Sequence, residues 1–290
     1  MRVDLNGEYV GREQAVVPVD DRGFLFGDGV YEVVRVVNGQ LFEADRHWRR
    51  LERSLDGLQI RQPAGLDGAA LDAIAQRLLE ENGLGDANAL VYVQITRGAA
   101  VRTHHFPPEG TRPTVFVSAG PFSPPDAVRT RGASVITCAD IRWARCDLKT
   151  VNLLPNTLAK QRAVAAGADE AVFVRDGVVT EGASSNLFGV FGGELRTYPA
   201  TNYILPGITR DVVLELATEL GIPVRLAPIF VDELPRADEL FLTNTTSDVM
   251  PIVRVDGQPA GGGRPGPVTG RLSAAFIERM PAGAMRAATV

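Results

Sequence analysis

Of the 30 side chains that are lysine or arginine, only Lys149 and Lys160 are lysines, which leaves 28 arginines. Arginine can take almost any surface role of lysine, but its guanidinium stays protonated and cannot act as an amine nucleophile. The two lysines are therefore the side chains able to condense with a carbonyl compound. Lys149 closes the run Asp140-Ile141-Arg142-Trp143-Ala144-Arg145-Cys146-Asp147-Leu148-Lys149, where a β-like stretch gives way to a loop and then a helix. Strand ends are where scaffolds present reactive side chains. A lysine used this way needs partial burial or a cationic neighbour to shed its proton; from position alone, a solvated surface lysine fits Lys149 as well. Lys160 falls inside a helical pattern over 155–166, the ordinary place for a solvated lysine.

Other segments offer groups that a reactive amine could work with. In Thr180-Glu181-Gly182-Ala183-Ser184-Ser185-Asn186 a carboxylate at a strand end is followed by small residues and hydroxyls. Such a carboxylate can face a ring nitrogen and keep it protonated, the arrangement pyridoxal 5'-phosphate (PLP) chemistry requires, while the hydroxyls and amides hold an anion. A capped turn is the plain alternative. Gly207-Ile208-Thr209-Arg210 opens a helix, so free N–H groups and the positive dipole end lie at a glycine turn, a geometry that binds phosphate. Thr243-Asn244-Thr245-Thr246-Ser247 offers a second set of hydroxyls and amides. Arg97-Gly98-Ala99-Ala100-Val101-Arg102-Thr103-His104-His105-Phe106 gathers histidines beside arginines and can clamp a carboxylate. The bland readings are a solvated loop there, a packing residue at Tyr31 and a solvated helix residue at Arg50. Adjacent histidines without other ligands make a metal site a poor fit.

The elements that must position these groups read as an α+β chain. Residues 3–10 and 14–19 read as short strands ahead of the glycine-rich Asp21-Arg22-Gly23-Phe24-Leu25-Phe26-Gly27-Asp28-Gly29. The β-branched run Val30–Val37 follows, and Asn38-Gly39 after it is the strongest short-range hairpin signal. Asp45 reads as the N-cap of a helix with Trp48, Leu51, Leu55 and Leu58 on one face; Asp67 caps a second over 68–82, stopped by Gly83. Strands at 89–97 and 113–119 complete a small domain over 1–119. Gly120-Pro121-Phe122-Ser123-Pro124-Pro125 interrupts helix and strand alike, so 120–126 reads as a linker to a larger domain over 127–290. There strands at 133–141, 170–175, 178–180, 186–191, 223–228, 239–243 and 252–255 accompany helices at 155–166, 209–220 and 268–279. Residues 281–290 read as frayed.

Composition narrows the function classes. The 290 residues, 45% hydrophobic and 22% charged, have room for two globular domains. A net charge of -5 and a pI near 5.4 argue against a nucleic-acid partner. No run nears the ~18 apolar residues a membrane span needs, and the start, Met1-Arg2-Val3-Asp4, has no apolar leader core, so a cytoplasmic protein is expected. Cys138 and Cys146 imply neither a disulfide framework nor a zinc site. Gly23, Gly27 and Gly29 precede a strand, whereas a dinucleotide fingerprint follows one and opens a helix.

Taken together, these segments resemble the fold type IV PLP enzymes, the class IV aminotransferases, and within them the D-amino acid aminotransferases of the bacterial D-alanine type. The likeness runs from Asp21-Arg22-Gly23 and Phe26-Gly27-Asp28-Gly29-Val30-Tyr31-Glu32 through Gln94-Ile95-Thr96-Arg97-Gly98 to Asp140-Ile141-Arg142-Trp143. It continues through Asn152-Leu153-Leu154, Leu158-Ala159-Lys160-Gln161, Thr180-Glu181-Gly182, Gly207-Ile208-Thr209-Arg210-Asp211 and Thr245-Thr246-Ser247. It implies a small N-terminal α/β domain and a larger C-terminal pseudo-barrel domain. It also implies that Lys149 holds PLP as an internal aldimine and shuttles the proton between the substrate Cα and the cofactor C4'. Glu181 would face the pyridine nitrogen and Leu205 would pack on the ring. Arg50, Ser184, Ser185, Gly207, Ile208, Thr209, Asn244 and Thr245 would surround the phosphate. Tyr31, Arg102 and His104 match the trap for the substrate carboxylate, with Arg102 and His104 supplied by the second subunit of a homodimer. The implied reaction moves an amino group from D-alanine, D-glutamate or D-aspartate to 2-oxoglutarate or pyruvate. Branched-chain L-amino acid aminotransferase, (R)-selective amine transaminase and aminodeoxychorismate lyase are the alternatives within the fold, and a non-catalytic PLP-binding protein is the alternative of another class. Pro155-Asn156, Ala183, Asn244 and Pro206 depart from the pattern and bear on substrate preference.

Overall fold

The computed structural model describes residues 1–281. Apart from Pro281, the segment expected to fray lies outside the described residues. The chain divides into two compact units, the first containing Met1–Ser123 and Leu148–Asn152, the second Pro124–Asp147 and Leu153–Arg279.

The first unit is built from β1 (Arg2–Leu5), β2 (Glu8–Gly11), α1 (Arg22–Phe26), β3 (Gly29–Val37), β4 (Gln40–Leu41), α2 (Ala44–Gly57), α3 (Gly68–Glu81), β5 (Ala89–Thr96) and β6 (Thr114–Pro121). Six antiparallel strands run in the order β2-β1-β6-β5-β3-β4. Side chains alternate across a strand, so Val30, Glu32, Val34 and Val36 of β3 share one face. The three valines pack with Trp48, Leu51 and Leu55 of α2, Leu71, Ala75 and Leu78 of α3, and Val91, Val93 and Ile95 of β5. Each such buried aliphatic side chain contributes about 1.5–3 kcal/mol. Glu32 is the polar member of this inner face and is fully buried.

The second unit contains α4 (Asp126–Arg131), β7 (Ala133–Ala139), α5 (Leu154–Ala165), β8 (Glu170–Arg175), β9 (Val178–Gly182), β10 (Asn186–Phe191), β11 (Glu194–Thr197), α6 (Ile208–Glu219), β12 (Val224–Leu226), β13 (Ile229–Phe230), β14 (Glu239–Asn244), β15 (Asp248–Val255), β16 (Gln258–Pro259) and α7 (Pro267–Arg279). Its mixed sheet runs β12-β11-β10-β14-β15-β7-β8-β9-β13, with β16 beside β15. The end strands β12 and β13 are separated in sequence only by Ala227 and Pro228. A link that short forces the sheet to curl back on itself, as expected of a pseudo-barrel in an α+β chain. Val135, Val172, Leu187, Leu240, Leu242 and Ile252 fill its core.

Several elements differ from expectation. The stretch read as one strand over 3–10 is a hairpin, with Leu5 opposite Glu8 and Asn6 and Gly7 both at positive φ. Residues 14–19 form no strand; Gln14 ends a short 3₁₀ turn, and Pro18 lacks the N–H a ladder needs. Helix α2 starts at Ala44, one residue before the expected cap; Glu43 pairs with Arg46 at 2.8 Å, and Asp45 sits in the first turn, where its charge suits the helix dipole. The expected domain over 127–290 is also interrupted. Leu148–Asn152 belongs to the first unit because its backbone hydrogen-bonds to β3: Tyr31 N–H donates to Lys149 O, Val151 N–H donates to Gly29 O, and Thr150 bridges Val30.

Candidate active site

Lys149 is fixed by its backbone before its side chain is considered. Besides its carbonyl bond to Tyr31, its own N–H donates to Ser54 Oγ at 3.1 Å, and that hydroxyl donates to Arg50 O at 2.9 Å. The side chain is half-buried, and Nζ lies 4.2 Å from the centroid of the Tyr31 ring. Tyr31 is in turn stacked on Tyr92 of β5, at 5.8 Å between centroids. Lys160 is different: 46% of its side chain is exposed, and Nζ donates to Asp169 O at 2.5 Å.

Arg50, expected as a solvated helix residue or a phosphate ligand, is buried on α2. Its guanidinium grips Glu32 with both arms, Nε to Oε1 at 2.7 Å and Nη2 to Oε2 at 2.9 Å. His47 Nδ1 lies 2.7 Å from the same Oε2. Burial works against the Glu32 charge, but Arg50 and His47 outweigh it and hold the carboxyl well below the usual range. Burial pushes His47 down, with Glu32 opposing, and toward the Glu32 carboxylate the ring donates from Nδ1. Arg102 and His104 stand exposed on the 97–113 loop between β5 and β6; both make ring contacts with Phe26. Among the described residues, no hydrogen bond or ion pair joins either of them to Tyr31 or Lys149.

In the second unit Glu181, at the end of β9, is buried and held by three donors. Arg142 Nη1 donates to Oε1, while Asn186 Nδ2 and Leu205 N–H each donate to Oε2 at 3.0 Å. Asn186 Nδ2 also reaches Leu205 O at 2.8 Å. Burial pushes the Glu181 carboxyl up to about 7, with Arg142 and the Leu205 amide opposing the rise. Arg142 is fixed from behind by Asp140, through Nε and Nη2 at 2.9 Å each, and Asp140 also pairs with Arg175 at 3.2 Å. A buried carboxyl poised near neutrality, backed by one cation, gains from a protonated ring nitrogen brought against it.

The anion-binding expectations meet concrete geometry. Helix α6 begins at Ile208 after Gly207, which supplies no side-chain cap, so the first-turn amides remain available to an anion. A Cβ at Gly207 would lie 2.2 Å from Asn186 Oδ1, so the side chain that holds Glu181 fits only against glycine. Ile208 and Thr209 are buried. Ser185 Oγ and Thr243 Oγ1 are buried hydroxyls without a hydrogen-bond partner among the described residues, and Ser185 suits an oxygen-rich ligand. Ser184 is exposed and donates to Glu170 at 2.8 Å. Asn244 Oδ1 accepts from Thr246 N–H at 2.9 Å and from Ser247 N–H at 2.6 Å, which shapes the turn carrying Thr245. Within the second unit, a carboxyl able to face a ring nitrogen, uncapped helix amides and a spare hydroxyl fit a phosphorylated pyridine, and within the first unit Lys149 is an amine able to bond an aldehyde. No group of His, Cys, Asp and Glu able to hold a metal occurs among the described residues, and none of their helices is long and apolar enough to cross a membrane.

A family model described as amino-transferase class IV matches residues 29–255, most of the chain. The chain belongs to the class IV aminotransferases. It is 42% identical over 276 residues to the D-alanine aminotransferase of Bacillus licheniformis, covering 95% of this chain and 96% of that one. The Staphylococcus haemolyticus D-alanine aminotransferase is 39% identical over 275 residues, at the same coverage. Among solved structures, the Escherichia coli branched-chain amino acid aminotransferase superposes with a TM-score of 0.88 at 30% identity, over 96% of this chain and 93% of that one. A second branched-chain amino acid aminotransferase, complexed with N-(5'-phosphopyridoxyl)-L-glutamate, gives 0.85 at 30% identity, over 97% and 95%. The chain is thus an aminotransferase on the fold type IV scaffold.

Sequence reasoning on this class IV aminotransferase gave no role to Glu32 and His47, which are gathered with Arg50, or to Arg142 and Asn186, which hold Glu181. Arg142 stood in plain view in the Asp140-Ile141-Arg142 run, and its spacing from Asp140 is the signal that could have found it. Its replacement has a directional consequence. Without the guanidinium, burial acts on Glu181 less opposed and its carboxyl moves further up, so less of it is ionised at neutral pH. Arg142→Gln is expected to lose on the order of tenfold to a hundredfold in turnover at pH 7 and to recover toward pH 9. A pH–rate profile with the wild-type shape would contradict this role.

Proposed function

We propose that this chain is a PLP-dependent aminotransferase acting on D-amino acids, with D-alanine, D-glutamate or D-aspartate as donor and 2-oxoglutarate or pyruvate as acceptor. It works in the cytoplasm as a homodimer in which Arg102 and His104 of one subunit complete the site of the other. The observation that carries this reading is the Lys149 amine, presented over the Tyr31 ring by a segment whose backbone is bonded to β3. The likeness to D-alanine aminotransferases over 95% of the chain supports the donor class.

When bound, PLP supplies an aldehyde for the amine and a pyridinium ring that accepts electrons as the Cα–H bond breaks. Lys149 would hold that aldehyde through its amine, with loss of water, and the amine when free would carry the proton between the substrate Cα and C4'. Glu181, backed by Arg142, would hold the ring nitrogen in its positive form. Arg50, Ser185, Ile208, Thr209 and Thr245 would hold the phosphate, with Ser184, Asn244 and Gly207 shaping that cradle and Leu205 packing on the ring. Tyr31 meets the substrate carboxylate from its own subunit, and Arg102 and His104 meet it from the partner. Two cationic or hydrogen-bonding side chains exposed on one loop suit a small α-carboxylate.

The branched-chain enzymes that share the fold make L-leucine the discriminating competitor. Incubated separately with D-alanine and with L-leucine, each with 2-oxoglutarate, the enzyme is expected to form glutamate from D-alanine and to leave L-leucine largely unconsumed. The reverse preference would overturn the donor assignment.

A further inference from the structure

The 97–113 loop carries Arg102 and His104 out into solvent, yet a clamp must be rigid to gain from its charges, because ordering a long side chain costs free energy at the moment of binding. The first unit contains a device that fixes it. Arg22 on α1 is buried; its Nε pairs with Asp28 at 2.9 Å and its Nη1 donates to the carbonyl of Thr103 at 2.8 Å, the residue between Arg102 and His104. Arg97 at the loop root uses the same Asp28, at 2.8 and 3.0 Å, and donates to the carbonyls of Leu58 and Gln59. Phe26, the last residue of α1, lies where these converge. Its ring centroid is 4.7 Å from the Arg22 guanidinium, 5.1 Å from that of Arg102 and 5.8 Å from the His104 ring. An aromatic face attracts guanidinium groups within about 6 Å of its centroid. One half-buried ring therefore meets both exposed clamp residues while their linking carbonyl is tied down.

We propose that Phe26, braced by Arg22 and Asp28, is a positioning residue for the substrate-carboxylate clamp and acts on the active site of the partner subunit, to which its own loop reaches. This rests on the clamp reading given above. Phe26 touches no reacting atom. It holds Arg102 and His104 in the conformation that receives the carboxylate, so its loss weakens substrate capture more than turnover.

The test uses purified holoenzyme. Phe26→Leu keeps an apolar side chain of similar bulk and removes the aromatic face; KM for D-alanine is expected to rise about tenfold with a much smaller change in kcat. Phe26→Tyr, which keeps the face, is expected to restore KM, and Phe26→Met replaces Phe26→Leu if the latter folds poorly. In an Arg102→Ala background the Phe26 change should add little, since both act through one clamp. A hybrid dimer of one Phe26→Leu and one Lys149→Ala subunit, isolated with two tags, has one complete site. That site takes its lysine from the Phe26→Leu subunit and its clamp from the other, so its KM is expected to return to the wild-type value. A hybrid that keeps the raised KM overturns the proposal. So does an unchanged KM in Phe26→Leu when Arg102→Ala raises it, which leaves the clamp reading intact. An unchanged KM in Arg102→Ala overturns the clamp reading and this inference with it.

Discussion

Lys149→Ala is expected to lose aminotransferase activity by on the order of 10⁴-fold, together with the visible absorption of the lysine-bound cofactor. Loss of the amine removes both the covalent anchor and the base at Cα, and no second lysine can substitute, because Lys160 is committed to the Asp169 carbonyl. The variant should still fold. The hydrogen bonds that fasten residues 149–151 to β3 and to Ser54 are made by backbone atoms, which alanine retains, and the half-buried lysine side chain fills no core position. A melting temperature near the wild type with activity gone would therefore locate the loss in chemistry. Lys160→Arg should keep activity and spectrum, since a guanidinium can still donate to the Asp169 carbonyl from an exposed position. Borohydride reduction of the wild-type holoenzyme should fix the cofactor on Lys149. A label on Lys160, or on neither lysine, would end the assignment.

What the sequence made legible was whatever a short window encodes. Val30–Val37 announced itself by β-branched residues, and Asp67 capped α3 by accepting from Ala70 N–H as its position implied. The lysine shortage narrowed the reactive amine to Lys149 or Lys160, and the strand-end carboxylate made Glu181 a candidate. The Asn-Gly signal that marked the hairpin after β3 recurs at Asn6-Gly7, where it was read through as part of one strand. What stayed hidden depends on long sequence separations. Glu32 reads as an ordinary interruption in a valine-rich strand until α2 brings His47 and Arg50, 15 and 18 residues onward, against its carboxylate. Nothing local tells that Leu148–Asn152 leaves the second unit to bond with β3, because the partners lie more than a hundred residues earlier. Phe26 was given no role of its own in the glycine-rich stretch, because its contacts with Arg102 and His104 come from a loop that returns after β5.

The buried Glu32 group carries the largest stability consequence. Glu32→Gln removes the carboxylate that balances the Arg50 guanidinium in an apolar interior, and breaking such a pair costs about 3–5 kcal/mol at pH 7. The amide oxygen, placed at the Oε2 position, can still accept from Arg50 Nη2 and His47 Nδ1, but the NH2 then faces Arg50 Nε–H, so a hydrogen bond is lost along with the charge compensation. The pH dependence follows from the direction of the Glu32 shift. Its carboxyl is held well below the unfolded value of about 4.3, so on acidification the unfolded chain takes up the proton first. The stabilisation is complete above that value and is lost progressively as pH falls beneath it. Wild type and variant, compared by urea denaturation without added cofactor, should differ most near pH 7 and converge toward pH 3. A phosphate group brought to Arg50 would replace part of the missing charge, so PLP should narrow the gap at pH 7 more than pyridoxal, which lacks the phosphate. Equal differences at pH 7 and pH 3 would show that Glu32 acts through shape alone, and equal rescue by the two cofactor forms would remove Arg50 from the phosphate site.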